Sequence, residues 1–220
     1  MTALQSGSGG SASASARPLK IAVFASGSGS NFQAVAEAIR DGGIPATIEL
    51  VVCDKPSAYV LERARSFGID TFAFSPKNYP SRAAYEAEIV AELQARGIGL
   101  IVMAGYMRLV TQTLVEPYYG RMINIHPALL PAFPGIDGIG QALEYGVKLT
   151  GATVHFVDGG TDTGPIIAQK AVEVLPDDTA ETLGNRIRQV EHELLPQVVR
   201  WIAEGRVILN DRKVSIRPGE

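Results

Sequence analysis

The sequence predicts an α/β fold: one domain with a mostly parallel central sheet and helices on both faces. Three observations carry this. Short apolar, β-prone runs alternate with helical patterns through the first two thirds of the chain, the rhythm of a parallel sheet wound by crossover helices. A strand, a glycine turn and a helix start follow one another directly at the first of these units. Later the rhythm changes. Leu149–Val157 and Ile166–Val174 are separated only by a Gly- and Asp-rich turn, which predicts an antiparallel ribbon near residues 150–174. Val207–Leu209 and Val214–Ile216, joined through Asn210-Asp211-Arg212, predict a C-terminal hairpin.

The chain has 220 residues, 46% apolar and 20% charged, with a net charge of −3, enough for one full core. That balance offers no electrostatic ground for a nucleic acid or an anionic membrane as partner. The partners expected are small molecules, and the assembly a monomer or homodimer. Cys53 is the only cysteine and lies in an apolar run, so no internal disulfide forms and a buried, inert thiol is expected. This suits a reducing, cytoplasmic compartment. No apolar run approaches the ~20 residues that span a bilayer, and the N-terminus lacks a signal-peptide pattern. Three scattered histidines and no Cys/His spacing argue against a metal. Residues 1–17 are rich in Gly, Ser and Ala and are expected to be a disordered tail, with the domain in 18–220.

Leu19–Ala25 reads as a buried strand. Ser26-Gly27-Ser28-Gly29-Ser30-Asn31 follows, then a helix from Phe32 to about Arg40. Such a junction leaves backbone N–H groups free to hold an anion. Ser30 and Asn31 add side-chain donors and can cap the helix. A dinucleotide fingerprint would use Gly27 and Gly29, with Asp54 as its acid, but Phe32 occupies the third glycine position. A monophosphate site fits better; a plain βα turn is the alternative.

A strand at Ile48–Cys53, a helix around Ala58–Phe67 and a strand at Thr71–Phe74 come next. A helix around Arg82–Arg96 is capped by Ser81, with Glu86 and Glu88 favoured by its dipole. Leu100–Ala104 is again a buried strand, and Gly105-Tyr106-Met107-Arg108-Leu109 stands at its carboxyl end. Ligands of open α/β sheets bind there, so Arg108 is either a binding residue or a solvated surface arginine. A short helix at Thr113–Tyr119 leads to Met122-Ile123-Asn124-Ile125-His126-Pro127.

In a strand, residues i and i+2 share a face, so Asn124 and His126 project together. A polar pair at the end of a buried strand is costly unless it is satisfied or used. Pro131, Pro134 and the glycines at 135, 138 and 140 make the next segment a loop able to cover a ligand, and a helix at Gln141–Tyr145 ends at Gly146. In the ribbon, His155 reads equally as a core histidine or a functional one. Asp158 and Asp162 serve turn chemistry or a site; no calcium-loop pattern surrounds them. Asp178-Thr179-Ala180-Glu181 predicts a helix start of capping-box type. Apolar residues at 183, 187, 190, 194, 198 and 202 give that helix one buried face, and Pro196 predicts a kink. Glu191 lies mid-helix, either solvated or facing a pocket.

These residues suit transfer of an acyl group to an amine. The oxyanion that develops needs donors, and Asn124 with a protonated His126 would supply them. A carboxylate favours the charged imidazole, and Asp162 is the candidate. No serine or cysteine stands in a nucleophile setting, so direct transfer is expected.

Gly27-Ser28-Gly29-Ser30-Asn31, Gly105-Tyr106-Met107-Arg108, Asn124-Ile125-His126-Pro127, Phe133-Pro134-Gly135 and Asp162-Thr163-Gly164-Pro165-Ile166-Ile167 occur in one order. In that order and spacing the chain, from about Lys20 to near Gly205, resembles the folate-dependent formyltransferases, in particular the phosphoribosylglycinamide formyltransferases of purine synthesis. Ala128 departs from the serine common in the motif, and Ile136–Gly140 replaces a His-containing loop. The resemblance implies a Rossmann-like fold, a cis peptide before Pro131, and 10-formyltetrahydrofolate as co-substrate without a metal. It implies that Asn124, His126 and Asp162 are catalytic. It places the ribonucleotide phosphate on Gly29, Ser30 and Asn31, with Glu191 near the glycinamide amine. Folate would lie against Arg82, Met107, Arg108, Leu109, Val110 and Asn124, with the loops around 136–140 and 157–162. Two related enzymes share the central motif. Formyltetrahydrofolate deformylase usually has an added N-terminal domain, and methionyl-tRNA formyltransferase an added C-terminal one; neither addition is expected here. A non-catalytic nucleotide-binding module is the reading from another class.

Overall fold

Each strand of the first half is a run of apolar residues, and in the computed structural model these runs assemble by parallel pairing. The structure describes residues 17–219, so nearly all of the tail expected at 1–17 lies outside the described residues. The strands are β1 (Leu19–Ala25), β2 (Ala46–Cys53), β3 (Thr71–Ala73), β4 (Leu100–Met103), β5 (Met122–His126), β6 (Leu149–Phe156) and β7 (Ile166–Glu173). They form one sheet in the order β3-β2-β1-β4-β5-β6-β7. Pairing is parallel from β3 to β5 and antiparallel for β5–β6 and β6–β7. The predicted ribbon therefore extends the main sheet. A separate hairpin of β8 (Val207–Asn210) and β9 (Lys213–Ile216) closes the chain.

Alternation along the strands builds two cores. Ile21, Val23 and Ala25 of β1 face α1 (Ser30–Arg40), α2 (Val60–Ser66) and α6 (Ala180–Ala203). Ala22 and Phe24 face the other way, onto α3 (Arg82–Ala95) and α4 (Gln112–Val115). A smaller cluster of Val172, Leu183 and Ile187, with Ile139 and Leu143, seats α5 (Gly138–Tyr145). Phe32 is fully buried and meets Phe67 edge-on, their centroids 5.9 Å apart. A bulky ring thus fills the space that a dinucleotide site would leave open.

Two helix starts and one helix acid differ from expectation, while Ser81 caps α3 as expected. The cap of α1 is Gly29, in the left-handed region at φ 76°, and no side chain caps it; Ser30 and Asn31 are already helical. A Cβ on Gly29 would lie 2.5 Å from Cγ2 of Val60, so the approach of α2 excludes any other residue. The cap of α6 is Thr179, paired reciprocally with Thr182, in place of Asp178 with Glu181. Asp178 instead accepts from Arg186 and from the N–H of Leu175. Glu86 is not spent on the α3 dipole: it is buried and accepts from Thr111. α6 continues through Pro196 as one helix of 24 residues.

Strand direction decides where the loops emerge. β1 lies between β2 and β4, so the chain switches sides at the carboxyl ends of β1 and β4, where a crevice opens. β6 runs back along β5, with Phe156 opposite Ile123. The loop carrying Asp162 therefore leaves beside the start of β5 and folds back toward its end.

Candidate active site

At the crevice, the loop after β4 is tied to the end of β1. The N–H of Ser26 donates to Gly105 O at 3.0 Å, and the N–H of Met107 donates to Ser26 Oγ at 2.9 Å. The next strand, β5, presents Asn124 and His126 on one face, as its two-residue period requires. Asp162 arrives from the β6–β7 loop in the left-handed region at φ 53°. A Cβ on Gly164 would sit 1.7 Å from Phe156 O, so only glycine permits the turn that returns the chain after Asp162. From β8–β9, Arg212 Nη2 donates to Thr163 O at 2.8 Å.

These residues meet. His126 Nδ1 lies 3.4 Å from Asp162 Oδ2, and Asn124 Nδ2 lies 3.5 Å from Asp162 Oδ1. The main chain fixes the other nitrogen of His126: Phe133 O, which can only accept, lies 2.8 Å from Nε2. Nε2 therefore carries a proton, and Nδ1 faces the carboxylate. A doubly protonated ring satisfies both neighbours. Asp162 Oδ2 also accepts the Gly135 N–H at 2.7 Å. Burial pushes the Asp162 carboxyl up; the bonds from His155 and Gly135 and the charges of both histidines outweigh it and hold the group below the usual aspartate range.

His155 packs into the same cluster. It is register partner to Asn124 across β5–β6, with Nε2 3.2 Å from Asn124 Nδ2 and 3.6 Å from Asp162 Oδ1. Ala128 is fully buried, and its carbonyl accepts from Thr153 Oγ1. The Leu130–Pro131 peptide is cis.

The glycine turn lies at the N-terminus of α1, whose first N–H groups have no intrahelical partner. Asn31 Nδ2 donates to Glu191 Oε2 at 2.9 Å from the facing helix α6. Asn31 Oδ1 is buried without a hydrogen-bond partner among the described residues. Burial pushes the Glu191 carboxyl up, and the bond from Asn31 and the charge of Arg188 only partly offset this.

Along the crevice, Met107 and Leu109 are 71% and 58% exposed, and Val110 is half-buried. Arg82 is exposed at the start of α3. Arg108 is no free surface arginine: its Nε donates to Asp54 Oδ2 at 2.8 Å. Asp54 is engaged through Oδ2 and, at 3% exposure, is closed off from the ribose of a dinucleotide. Apolar side chains beside two guanidinium groups and free main-chain groups suit an aromatic, carboxylate-bearing molecule such as a folate. Among the described residues, no helix is long and apolar enough to cross a membrane.

A model of the formyl transferase family matches residues 19–199. The chain belongs to the formyl transferase family. It is 54% identical to the phosphoribosylglycinamide formyltransferase of Bacillus subtilis, over 83% of this chain and 94% of that protein. A crystal structure of glycinamide ribonucleotide transformylase 1 from Symbiobacterium toebii superposes with a TM-score of 0.89 at 48% identity, covering 91% of this chain and 94% of the other. That from Geobacillus kaustophilus gives 0.83 at 55% identity, over 84% and 99%.

The sequence alone does not tie His155, Asp54 and Glu86 to the partners they meet here. His155 carries one signal, its strand position two residues before the turn. Asp54 was weighed for another ligand, and Glu86 for a helix dipole. Their partners, Arg108 and Thr111, lie 54 and 25 residues away, and no local pattern announces such pairs.

Proposed function

We infer that this formyl transferase carries a formyl group from 10-formyltetrahydrofolate to the amine of 5-phosphoribosylglycinamide, in de novo purine biosynthesis, by direct transfer. The observation that supports it most is the meeting of Asn124, His126 and Asp162 on the run of strand ends that also carries the glycine turn of α1. The bound co-substrate supplies the formyl carbon. The protein does the rest. Backbone N–H groups at Gly29, Ser30 and Asn31 hold the phosphate and so fix the amine. Glu191 and the unpartnered Asn31 Oδ1 accept from that amine or its neighbouring groups. Of the donors near the reacting carbon, His126 Nδ1–H is not held by the main chain. The Asn124 hydrogen facing Asp162 spans 3.5 Å, a weak contact. The Asn124 amide can turn to the oxygen that gains charge, and the His126 ring, held at Nε2, stands beside it. Asp162 faces His126 Nδ1 and stands where it can take up the proton that the amine loses, one that N10 of the folate regains as its bond to the formyl carbon breaks. Arg82, Met107, Arg108, Leu109 and Val110 line the folate side. Every one of these groups comes from one chain, so a monomer suffices and a homodimer leaves the site unchanged. The substrates are small molecules of the cytoplasm; no nucleic acid or membrane takes part.

The test is turnover by purified protein with both substrates, followed as release of tetrahydrofolate. Release that requires the ribonucleotide is expected. Release at the same rate without it would make the protein a deformylase, and binding of both without release would make it a non-catalytic module.

A further inference from the structure

The loop Gly105–Thr111 is held at two points by buried acids that the reaction itself does not call for. At one end, both carboxylate oxygens of Glu86 accept from the Thr111 N–H, at 3.0 and 3.1 Å, and Thr111 Oγ1 also bonds Glu86. At its middle, Asp54 reaches across the end of β1, from the end of β2 to the loop after β4, to grip Arg108. The Asp54 side chain is 1% exposed and that of Arg108 40%. Asp54 Oδ1 has no hydrogen-bond partner among the described residues. A buried carboxylate paired through one oxygen is expensive, and a neutral side chain would fill that place at less cost. The arrangement has one clear product. Arg108 is held through Nε alone, and neither Nη1 nor Nη2 bonds the protein among the described residues. Its two-pronged end is thus aimed outward, beside the exposed Met107 and Leu109.

We propose that Asp54 is a positioning residue which sets the Arg108 guanidinium to receive a carboxylate of the folate tail in two parallel hydrogen bonds. The proposal rests on the folate reading of the site. Asp54 touches neither the reacting carbon nor the ribonucleotide. It acts through Arg108 on the affinity for the carboxylate-bearing end of the co-substrate and leaves the chemical step alone.

The test compares tetrahydrofolate with tetrahydropteroate, which lacks the glutamate, by calorimetry on the full chain. Asp54→Ala is expected to weaken tetrahydrofolate binding about tenfold. Tetrahydropteroate binding, kcat and the KM for the ribonucleotide should stay within about twofold of the wild type. Asp54→Asn, which keeps an acceptor for Nε, should fall between. Equal losses for both ligands would make Asp54 a structural residue, and no loss for either would leave it without this role; each result overturns the proposal. Should Asp54→Ala fail to fold, Arg108→Lys decides. A lysine offers one compact charge that cannot serve Asp54 and a carboxylate together, so the same tail-selective loss is expected, and unchanged discrimination overturns the proposal. Wild-type protein that binds neither ligand would instead sink the folate reading itself.

Discussion

Asn124 and His155 are partners across the antiparallel β5–β6 junction, and the amide nitrogen of one lies 3.2 Å from Nε2 of the other. His155 Nδ1 lies 2.8 Å from the carbonyl of Phe156, which can only accept. His155 therefore carries a proton on Nδ1 and turns Nε2 toward both Asn124 and Asp162. This holds the Asn124 amide against the cluster. His155→Ala removes that anchor while leaving Asn124 in place. Loss of kcat by up to about 10²-fold is expected, since small misplacements of a reacting group cost that much. KM for the ribonucleotide should be unchanged. Steady-state kinetics check this, and a full-rate variant would return His155 to the core.

Asp162→Asn keeps the shape of the loop and an acceptor for Gly135 but gives up the charge facing His126. A fall in kcat of about 10²–10³ is expected, the usual cost of losing one element of oxyanion stabilisation, with an unaltered circular dichroism spectrum. The same substitution tests stability against pH. The native carboxyl is held below its ordinary range, so its contribution is present above the unfolded aspartate value of about 3.9 and is lost as pH falls through the lower native value. In urea melts from pH 6 downward, the wild type should lose more stability than Asp162→Asn. Parallel curves would contradict the assignment.

Glu191 carries the opposite sign. Burial raises its carboxyl above the usual range. Its contribution is therefore complete below the unfolded glutamate value and is lost as pH rises through the native one. Glu191→Gln, which still accepts from Asn31, should melt at a higher temperature than the wild type at pH 7.5 and bind the ribonucleotide more weakly. Scanning calorimetry and KM read the two effects on one sample. A variant that is less stable at that pH would refute the argument.

Gly29→Ala tests the anion turn. The added Cβ would crowd Val60 at Cγ2, Cβ and Cα, at a backbone φ of 76°. The turn must shift, and the phosphate with it. KM for the ribonucleotide should rise about tenfold or more, given 1–3 kcal/mol for strain of this kind, while folate affinity stays near the wild type.

The strands were legible because buried parallel strands are nearly unbroken apolar runs, as in Leu50-Val51-Val52-Cys53. The pairing of Asn124 with His126 on one face was legible because the period of a strand is fixed. Asp162 was nameable as a candidate carboxylate, and the resemblance pointed to it too, but its geometry needs a left-handed residue and a returning turn that no spacing encodes. The grips of Asp54 on Arg108 and of Glu86 on Thr111 were hidden. They are tertiary, and a charged side chain in a sequence reads first as solvated. The α6 cap was misplaced by one residue because Asp178 and Thr179 are both good caps, and Arg186, two turns along, draws Asp178 away.

Side chains alternate along β6, so each of its residues belongs to one side of the sheet by parity. An insertion or deletion of a single residue between Thr150 and His155 would carry the imidazole to the far side and abolish its meeting with the amide, while the strand itself remained paired. Length changes in this protein should therefore be confined to the connecting loops, and β6 should vary in composition but keep its count.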